Sequence, residues 1–445
     1  MVASNTEQKM VAHLLRRAGF GYSPLELKYY CQLGYDRTLD ALLNPQNVNN
    51  SNLDALIARQ QFDFTKIADL RRWWLYRMCF SNRPLEEKMT LFWHGHFATS
   101  QRKVQHSYSM YMQNQLFRRY ALGNFHGLLK DISRDPAMIV WLDNQQNKKG
   151  SPNENYAREI MELFTLGIGN YTEKDIKEAA RAFTGWQTTP VGFHLNNRLH
   201  DNGLKTVFGV TGNLGGDDVI WLLVQKPATG KRLATKLIKF FVCENPPQEY
   251  IDSVAKVYID SHYNIKSMLT AIFSDPFFNS ANAYHARIKS PAELVVGSLK
   301  TLQINKLDKD LPEHLARMGQ SLFEPPNVKG WDGGPAWIST DTMMERFNFA
   351  EQITANRFDE MFAKMSPSEL VSRENLTSAK QVVDYFLGLF VDGDVPANTR
   401  AKLIAYVSSD TSGNPISNIG NNDLLDTKLR GLVRIIMTLP TYQLC

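Results

Sequence analysis

Cysteine is scarce in this chain: Cys31, Cys79, Cys243 and Cys445 are the only four in 445 residues, and they are widely scattered. No Cys-x-x-Cys pair occurs, which argues against a sulfur-rich zinc site or a redox motif. Buried thiols in a reducing compartment fit this usage, as does one disulfide. Long apolar runs are also absent. The best, residues 219–224 and 385–391, fall far short of the ~20 residues needed to cross a bilayer. Residues 1–10 carry Glu7 and Lys9 and no apolar signal core, so no export signal is expected. Neither charge dominates: 50 Lys and Arg stand against 45 Asp and Glu, a net +5. The basic doublets Arg71-Arg72, Arg118-Arg119 and Lys148-Lys149 are isolated, which argues against a nucleic-acid binder. Strand-like alternation is rare as well.

Several catalytic signatures are missing. There is no His-Glu-x-x-His of a zinc protease and no Gly-x-Ser-x-Gly of a hydrolase nucleophile elbow. Pro227-Ala-Thr-Gly-Lys-Arg232 looks like a phosphate loop, but Gln225 stands where its first glycine belongs and Arg232 replaces the hydroxyl residue. Gly209, Gly212, Gly215 and Gly216 lack the dinucleotide spacing and a preceding buried strand.

Helix signals are plentiful. Ser-Pro-x-Glu occurs at Ser23, Ser151, Ser290 and Ser366. Serine caps free amides of a first turn, proline suits the first helical position, and glutamate at the third can close a capping box. Thr172-Glu173-Lys174-Asp175 and Asp135-Pro136 read as further starts. Apolar residues then recur at helical spacing: Ile160, Met161, Leu163, Phe164 and Leu166; Ile176, Ala179, Ala180 and Phe183 before Gly185; Leu233, Leu237, Phe240 and Phe241; Ile265, Met268, Leu269 and Ile272. The pattern predicts a mainly α, multi-helical globular fold with a dozen or more helices. A main domain over residues 1–365 and a helical C-terminal extension over 366–445 are expected. Residues 184–218 hold seven glycines and predict a small β-hairpin insertion, pairing 191–195 with 205–208. Residues 320–340 form a loop of Trp, Gly and Pro; long irregular stretches of this kind are more often functional than idle. Residues 392–423 read as a polar surface connection before a last helix, 427–437.

A set of ordered motifs resembles a known family. They are His13-Leu-Leu-Arg-Arg-Ala-Gly-Phe-Gly21, Phe92-Trp-His-Gly-His-Phe97, and Asn155-Tyr-Ala-Arg-Glu-Ile-Met-Glu-Leu-Phe164 with Gly167. Then follow Glu178-Ala-Ala-Arg-Ala-Phe-Thr-Gly-Trp186, His200-Asp201, Lys205-Thr206, Gly209, and Pro325-Pro326 before Gly330-Trp331. Together they resemble the bacterial family catalogued as domain of unknown function 1800, over about residues 10–345. The resemblance implies membership and no particular activity. It also implies export, often behind a twin-arginine leader, which this chain does not show; a cytoplasmic protein is the alternative expectation.

Four groups of residues can carry chemistry. His94 and His96 have a frequent metal-ligand spacing, but residues two apart on a helix point about 200° around its axis. The helical pattern Leu85, Met89, Phe92, Trp93 runs into Gly95, which puts the two histidines on an unwinding terminus. Joined to His200 and Asp201, they would make a first shell for zinc or ferrous iron. The alternative is a histidine favoured by the helix dipole and packed among aromatics. Asn155, Arg158, Glu159 and Glu162 share one polar stripe, offsets of three and four apart. The two carboxylates could serve as acid and base, or as struts in an ion-pair lattice that includes Arg181. Trp331 and Trp337, with Asp332 and Asn327, suit stacking on sugar faces, or a lid over a helical core. Lys205 and Asn155 complete the expected substrate contacts.

These readings lead to three expectations. The first is a metal-dependent hydrolase of a glycan or other polyhydroxylated substrate. It uses His94, His96, His200 and Asp201 as ligands, and Glu159 or Glu162, beside Arg158, as general base. The second is a non-catalytic binding or assembly protein with a buried polar network. The third is a metal-free glycosidase or lyase built on the paired carboxylates.

Overall fold

The computed structural model describes residues 5–189, 192–355, 367–410 and 422–445. Among them are twenty-three α-helices and two small antiparallel sheets of two strands each. The mainly α reading holds. The chain parts into two compact units. The larger comprises Leu39–Ala283 and Leu322–Asp332; the other comprises Met1–Thr38, Tyr284–Ser321 and Gly333–Cys445. The domain boundary expected at residues 365–366 lies outside the described residues.

Most helix starts are where the caps put them. Ser23 and Ser290 each close a capping box, with Glu26 and Glu293. Thr172 does the same with Asp175, and the Asp135 carboxylate accepts the Met138 N–H at 3.0 Å. The box at Ser151 is not a cap. The Asn147 side chain accepts the Asn153 N–H at 2.9 Å and donates to the Ala180 carbonyl at 2.8 Å. That bridge keeps residues 152–154 out of the helix, which starts at Asn155. Ser366 lies outside the described residues, although the helix after it runs from Pro367 to Arg373. The expected polar connection at 392–423 contains a helix, Ala397–Val407, and residues 411–421 are not described. The last helix is longer than expected, Asn422–Thr438.

The glycine-rich insertion holds two hairpins instead of one. Trp186–Thr189 pairs with Gly192–Leu195, and Lys205–Val207 pairs with Val210–Gly212. Phe208 and Gly209 both have positive φ, 49° and 81°. This is the two-residue turn that twists with its strands, so 205–207 finds its partner locally and leaves 192–195 to residues 186–189. Val191 lies outside the described residues.

In the larger unit Pro84–His96 packs on Ser107–Arg119, and Pro227–Phe241 packs on Gln248–Asp260, which in turn packs on Ile265–Ser274. Trp73, Trp74, Trp93, Phe97, Phe125, Phe164 and Tyr258 fill its core. The core also holds a charge. Glu87 is fully buried and accepts from Arg77 Nε at 2.7 Å and from Arg118 Nε and Nη2 at 2.8 and 2.9 Å. Burial alone would push this carboxyl up, but the Arg118 and Arg77 guanidiniums outweigh it and pull it down to about 2.

In the other unit Thr340–Thr354 packs on Asn422–Thr438, around Phe349, Ile353, Leu429, Leu432, Val433 and Ile436. Its own buried ion pair joins Arg16 to Asp392, and Arg16 also donates to the Tyr22 hydroxyl at 2.8 Å.

Candidate functional site

The site begins with a fault in a helix. Asn155–Glu159 is α-helical, but Ile160–Thr165 widens into a π-turn. The Met161 carbonyl accepts the Leu166 N–H at 2.8 Å and the Gly167 N–H at 3.1 Å, i→i+5 and beyond. Such π-turns are uncommon and occur often at functional sites. The Leu163 and Phe164 carbonyls are taken by side chains from other helices: Arg232 Nε donates to Leu163 at 3.0 Å, and His96 Nε2 donates to Phe164 at 3.1 Å. Gly167 follows with φ +82°, and a Cβ there would lie 3.1 Å from Arg232 Nη1. A side chain at 167 would therefore be strained and would crowd the guanidinium.

Glu159 and Glu162 sit half-buried one turn apart on this element. Burial and then the Glu162 charge push the Glu159 carboxyl above its ordinary value, against the opposing pull of Arg158 and Lys329. Glu162 Oε2 accepts the Tyr171 hydroxyl at 2.8 Å. That phenol is pushed up to about 12 by burial and by this bond, so Tyr171 stays a donor.

Helix Pro227–Phe241 supplies Arg232 and Lys236, four residues apart and so on one face. Lys236 Nζ lies 3.2 Å from His96 Nδ1. The Phe164 carbonyl can only accept, so His96 carries its proton on Nε2 and offers a lone pair on Nδ1 to the lysine. Burial, with Lys236 and Arg232 nearby, holds this imidazole neutral, well below its usual value. Burial and then Arg232 push the Lys236 amine down to about 7.

His94 faces elsewhere, as two neighbours on a helix must. It is 1% exposed, and its Nε2 accepts the Phe323 N–H at 3.1 Å. Its ring centroid lies 5.3 to 5.5 Å from those of Trp74, Phe323 and Trp331. Burial pushes it down to about 3. The helix does not unwind at Gly95 but runs on to His96. Gly95 serves close packing: a Cβ on Gly330, at φ +87°, would meet the Gly95 carbonyl at 2.2 Å. His200 Nδ1 donates to the Thr184 carbonyl at 2.8 Å. Asp201 accepts from Arg181 Nε at 2.8 Å, and this bond above all holds its carboxyl down at about 2. Among the described residues no three His, Cys, Asp or Glu side chains are grouped to hold a metal ion, so His94, His96, His200 and Asp201 form no common ligand set.

The other expected residues are placed as follows. Arg158 turns away from the carboxylate pair toward Glu173, at 2.8 and 2.9 Å, and Glu154, at 3.3 Å. Arg181 pairs with Glu178 and Asp201, and so does not join the Glu159/Glu162 stripe in one lattice. Asn155 Nδ2 donates to the Leu142 carbonyl at 3.2 Å. Lys205 is 1% exposed, and its ammonium donates to Gly203 O and Asn213 Oδ1, so it is not open to a substrate. Trp331 is half-buried and Asp332 exposed in the larger unit, whereas Trp337 is buried in the other unit, 6% exposed. Trp337 is therefore core and offers no sugar platform.

Sequence reasoning missed Arg232, Lys236 and Tyr171. One signal was available: Arg232 and Lys236 flank the apolar stripe Leu233, Leu237, Phe240, Phe241 at i and i+4, and Arg232 closes the rejected phosphate-loop match.

Fold and site define a helical protein with a polar, cation-rich cluster around a π-turn. The chain belongs to the family described as protein of unknown function (DUF1800), which it matches over residues 13–444, nearly its whole length. No curated protein and no solved structure matches it.

Proposed function

We propose that the chain is a metal-independent acid–base enzyme that cleaves glycosidic bonds in a polyhydroxylated substrate. Glu159 is the general acid and Glu162 the base or nucleophile. The observation that carries this reading is the carboxylate pair on the π-turn. The two groups are half-buried, Glu162 is held by Tyr171, and burial beside Glu162 favours the protonated form of Glu159. Paired carboxylates in unequal surroundings divide the roles of acid and base in this way. Tyr171 fixes the rotamer of Glu162, and Arg232 offsets negative charge near it. The route needs no metal. Purified protein incubated with 4-nitrophenyl glycosides and soluble oligosaccharides, with and without a chelator, tests it. Turnover that survives chelation and falls about 10²–10⁴-fold in Glu162→Gln supports the reading. Turnover lost on chelation and restored by zinc or iron returns the metal-dependent hydrolase.

A second reading is favoured by one observation. Arg158, Glu154 and Glu173 form a satisfied ion-pair lattice that ties the Asn155–Glu159 helix to the start of Glu173–Ala182, as a strut would. On that reading the protein binds or assembles without catalysis, and the wild type leaves every substrate intact.

A further inference from the structure

We infer that Arg232 and Lys236 form the seat of an anionic group on the substrate, so that the sugar recognised is an acidic one bearing a carboxylate, sulfate or phosphate. This rests on the carboxylate-pair reading for its chemistry and on separate residues for its binding.

The two cations lie one turn apart on one face of Pro227–Phe241, half-buried beside the π-turn. Buried or half-buried cations in a folded chain are ordinarily paired with carboxylates. Among the described residues neither of these two forms an ion pair, in contrast to Arg77, Arg118, Arg158 and Arg181. Their hydrogen bonds go to neutral groups: Arg232 Nε to the Leu163 carbonyl, and Lys236 Nζ to the His96 lone pair. The guanidinium therefore keeps its Nη donors, with Nη1 packed over Gly167 where a Cβ would crowd it, and the ammonium keeps two of its three. A planar fork beside a point charge matches an oxyanion, which takes two bonds from the first and one from the second.

Glu162 is the carboxylate whose charge acts on Arg232, but its hydrogen bond is to Tyr171 and not to the guanidinium. Its carboxylate keeps the seat from being a general anion trap: an inorganic ion gains the two cations but meets Glu162, whereas a sugar carries its acid group at one end and its scissile bond at the other. The amine of Lys236, pushed down to about 7 by burial and Arg232, is restored to its charged form when an anion arrives.

Calorimetric titration of the full chain with glucuronate, glucose 6-sulfate, glucose 6-phosphate and glucose tests the inference and separates the anion types. At least one acidic sugar should bind about tenfold or more tightly than glucose, with affinity falling as salt rises. Lys236→Met and Arg232→Gln should each remove that tenfold preference. Lys236→Met keeps the Leu163 contact of Arg232, so it remains informative should Arg232→Gln fail to fold. Equal binding of glucose and all three acidic sugars overturns the inference, as does no binding of any of them, or an acid preference unchanged in Lys236→Met. Glu159→Gln separates the two proposals: it should keep the acid preference and lose turnover. An acid preference in a wild type without turnover would sink the enzyme and leave the anion seat standing.

Discussion

Replacing Lys236 by methionine should make the protein more stable. In the folded chain the amine is pushed down to about 7 from an ordinary 10.5. The difference is about 3.5 units, and at about 1.36 kcal/mol per unit the buried charge costs up to about 5 kcal/mol at and below neutral pH. Lys236 is only half-buried, so solvent removes part of that cost. Methionine keeps the length and apolar stem of lysine and carries no charge. It leaves His96 Nδ1 without its donor, a loss of about 1–3 kcal/mol. The charge relieved outweighs the bond lost, and a net gain of about 1–2 kcal/mol is expected at pH 7. The sign with pH follows from proton counts. Between about 7 and 10.5 the unfolded chain binds a proton at Lys236 that the folded chain does not, so the wild type gains stability as pH rises through that window. The methionine variant lacks this gain. Its advantage should be constant below pH 7, shrink above it by up to about 1.4 kcal/mol per pH unit, and so reverse well before 10.5, near which only the lost His96 bond remains. Urea midpoints of both proteins from pH 6 to 10.5 measure this. A variant that is less stable at pH 7, with a difference flat in pH, would mean that the amine is an ordinary strut and the reasoning is wrong.

Glu87→Gln should destabilise by about 3–5 kcal/mol, because Arg77 and Arg118 are then left with an uncompensated buried charge; chemical denaturation at pH 7 reads it. The same carboxylate sets an acid limb. Its folded value of about 2 lies below an ordinary 4.5, so its contribution is complete above 4.5 and disappears as pH falls toward 2. A Glu87→Gln protein whose stability loss is undiminished at pH 2 would contradict this. Gly330→Ala should cost more than about 1 kcal/mol, since φ +87° strains a side chain whose Cβ would also meet the Gly95 carbonyl; a thermal midpoint equal to wild type would count against that close approach.

Local punctuation made much of the fold legible. Ser23, Thr172, Ser290 and Asp135 cap the helices that their neighbours predict, because a cap and a first turn are settled within four residues. Ser151 misled because its segment is held by Asn147, a bridge to Ala180 more than thirty residues away. The hairpin pairing misled because the Phe208-Gly209 turn needs only local backbone angles, which outweigh a distant partner. In the site, Glu159 and Glu162 could be read as one stripe from spacing alone. Their working neighbours could not. Arg232 and His96 reach the carbonyls of the π-turn from two other helices, and no periodicity encodes that meeting. His94 and His96 drew notice as a pair, yet a helix that continues through Gly95 sends them to separate partners.

The most direct measurement is turnover of an acidic oligosaccharide by wild type and Glu162→Gln, both in excess chelator. Glutamine keeps the Tyr171 contact through its carbonyl, so the fold should survive and only the carboxylate is lost. The account predicts chelator-resistant cleavage by the wild type and a fall of about 10²–10⁴-fold in the variant. Equal rates in the two proteins, or cleavage that stops when metal is removed, would contradict it.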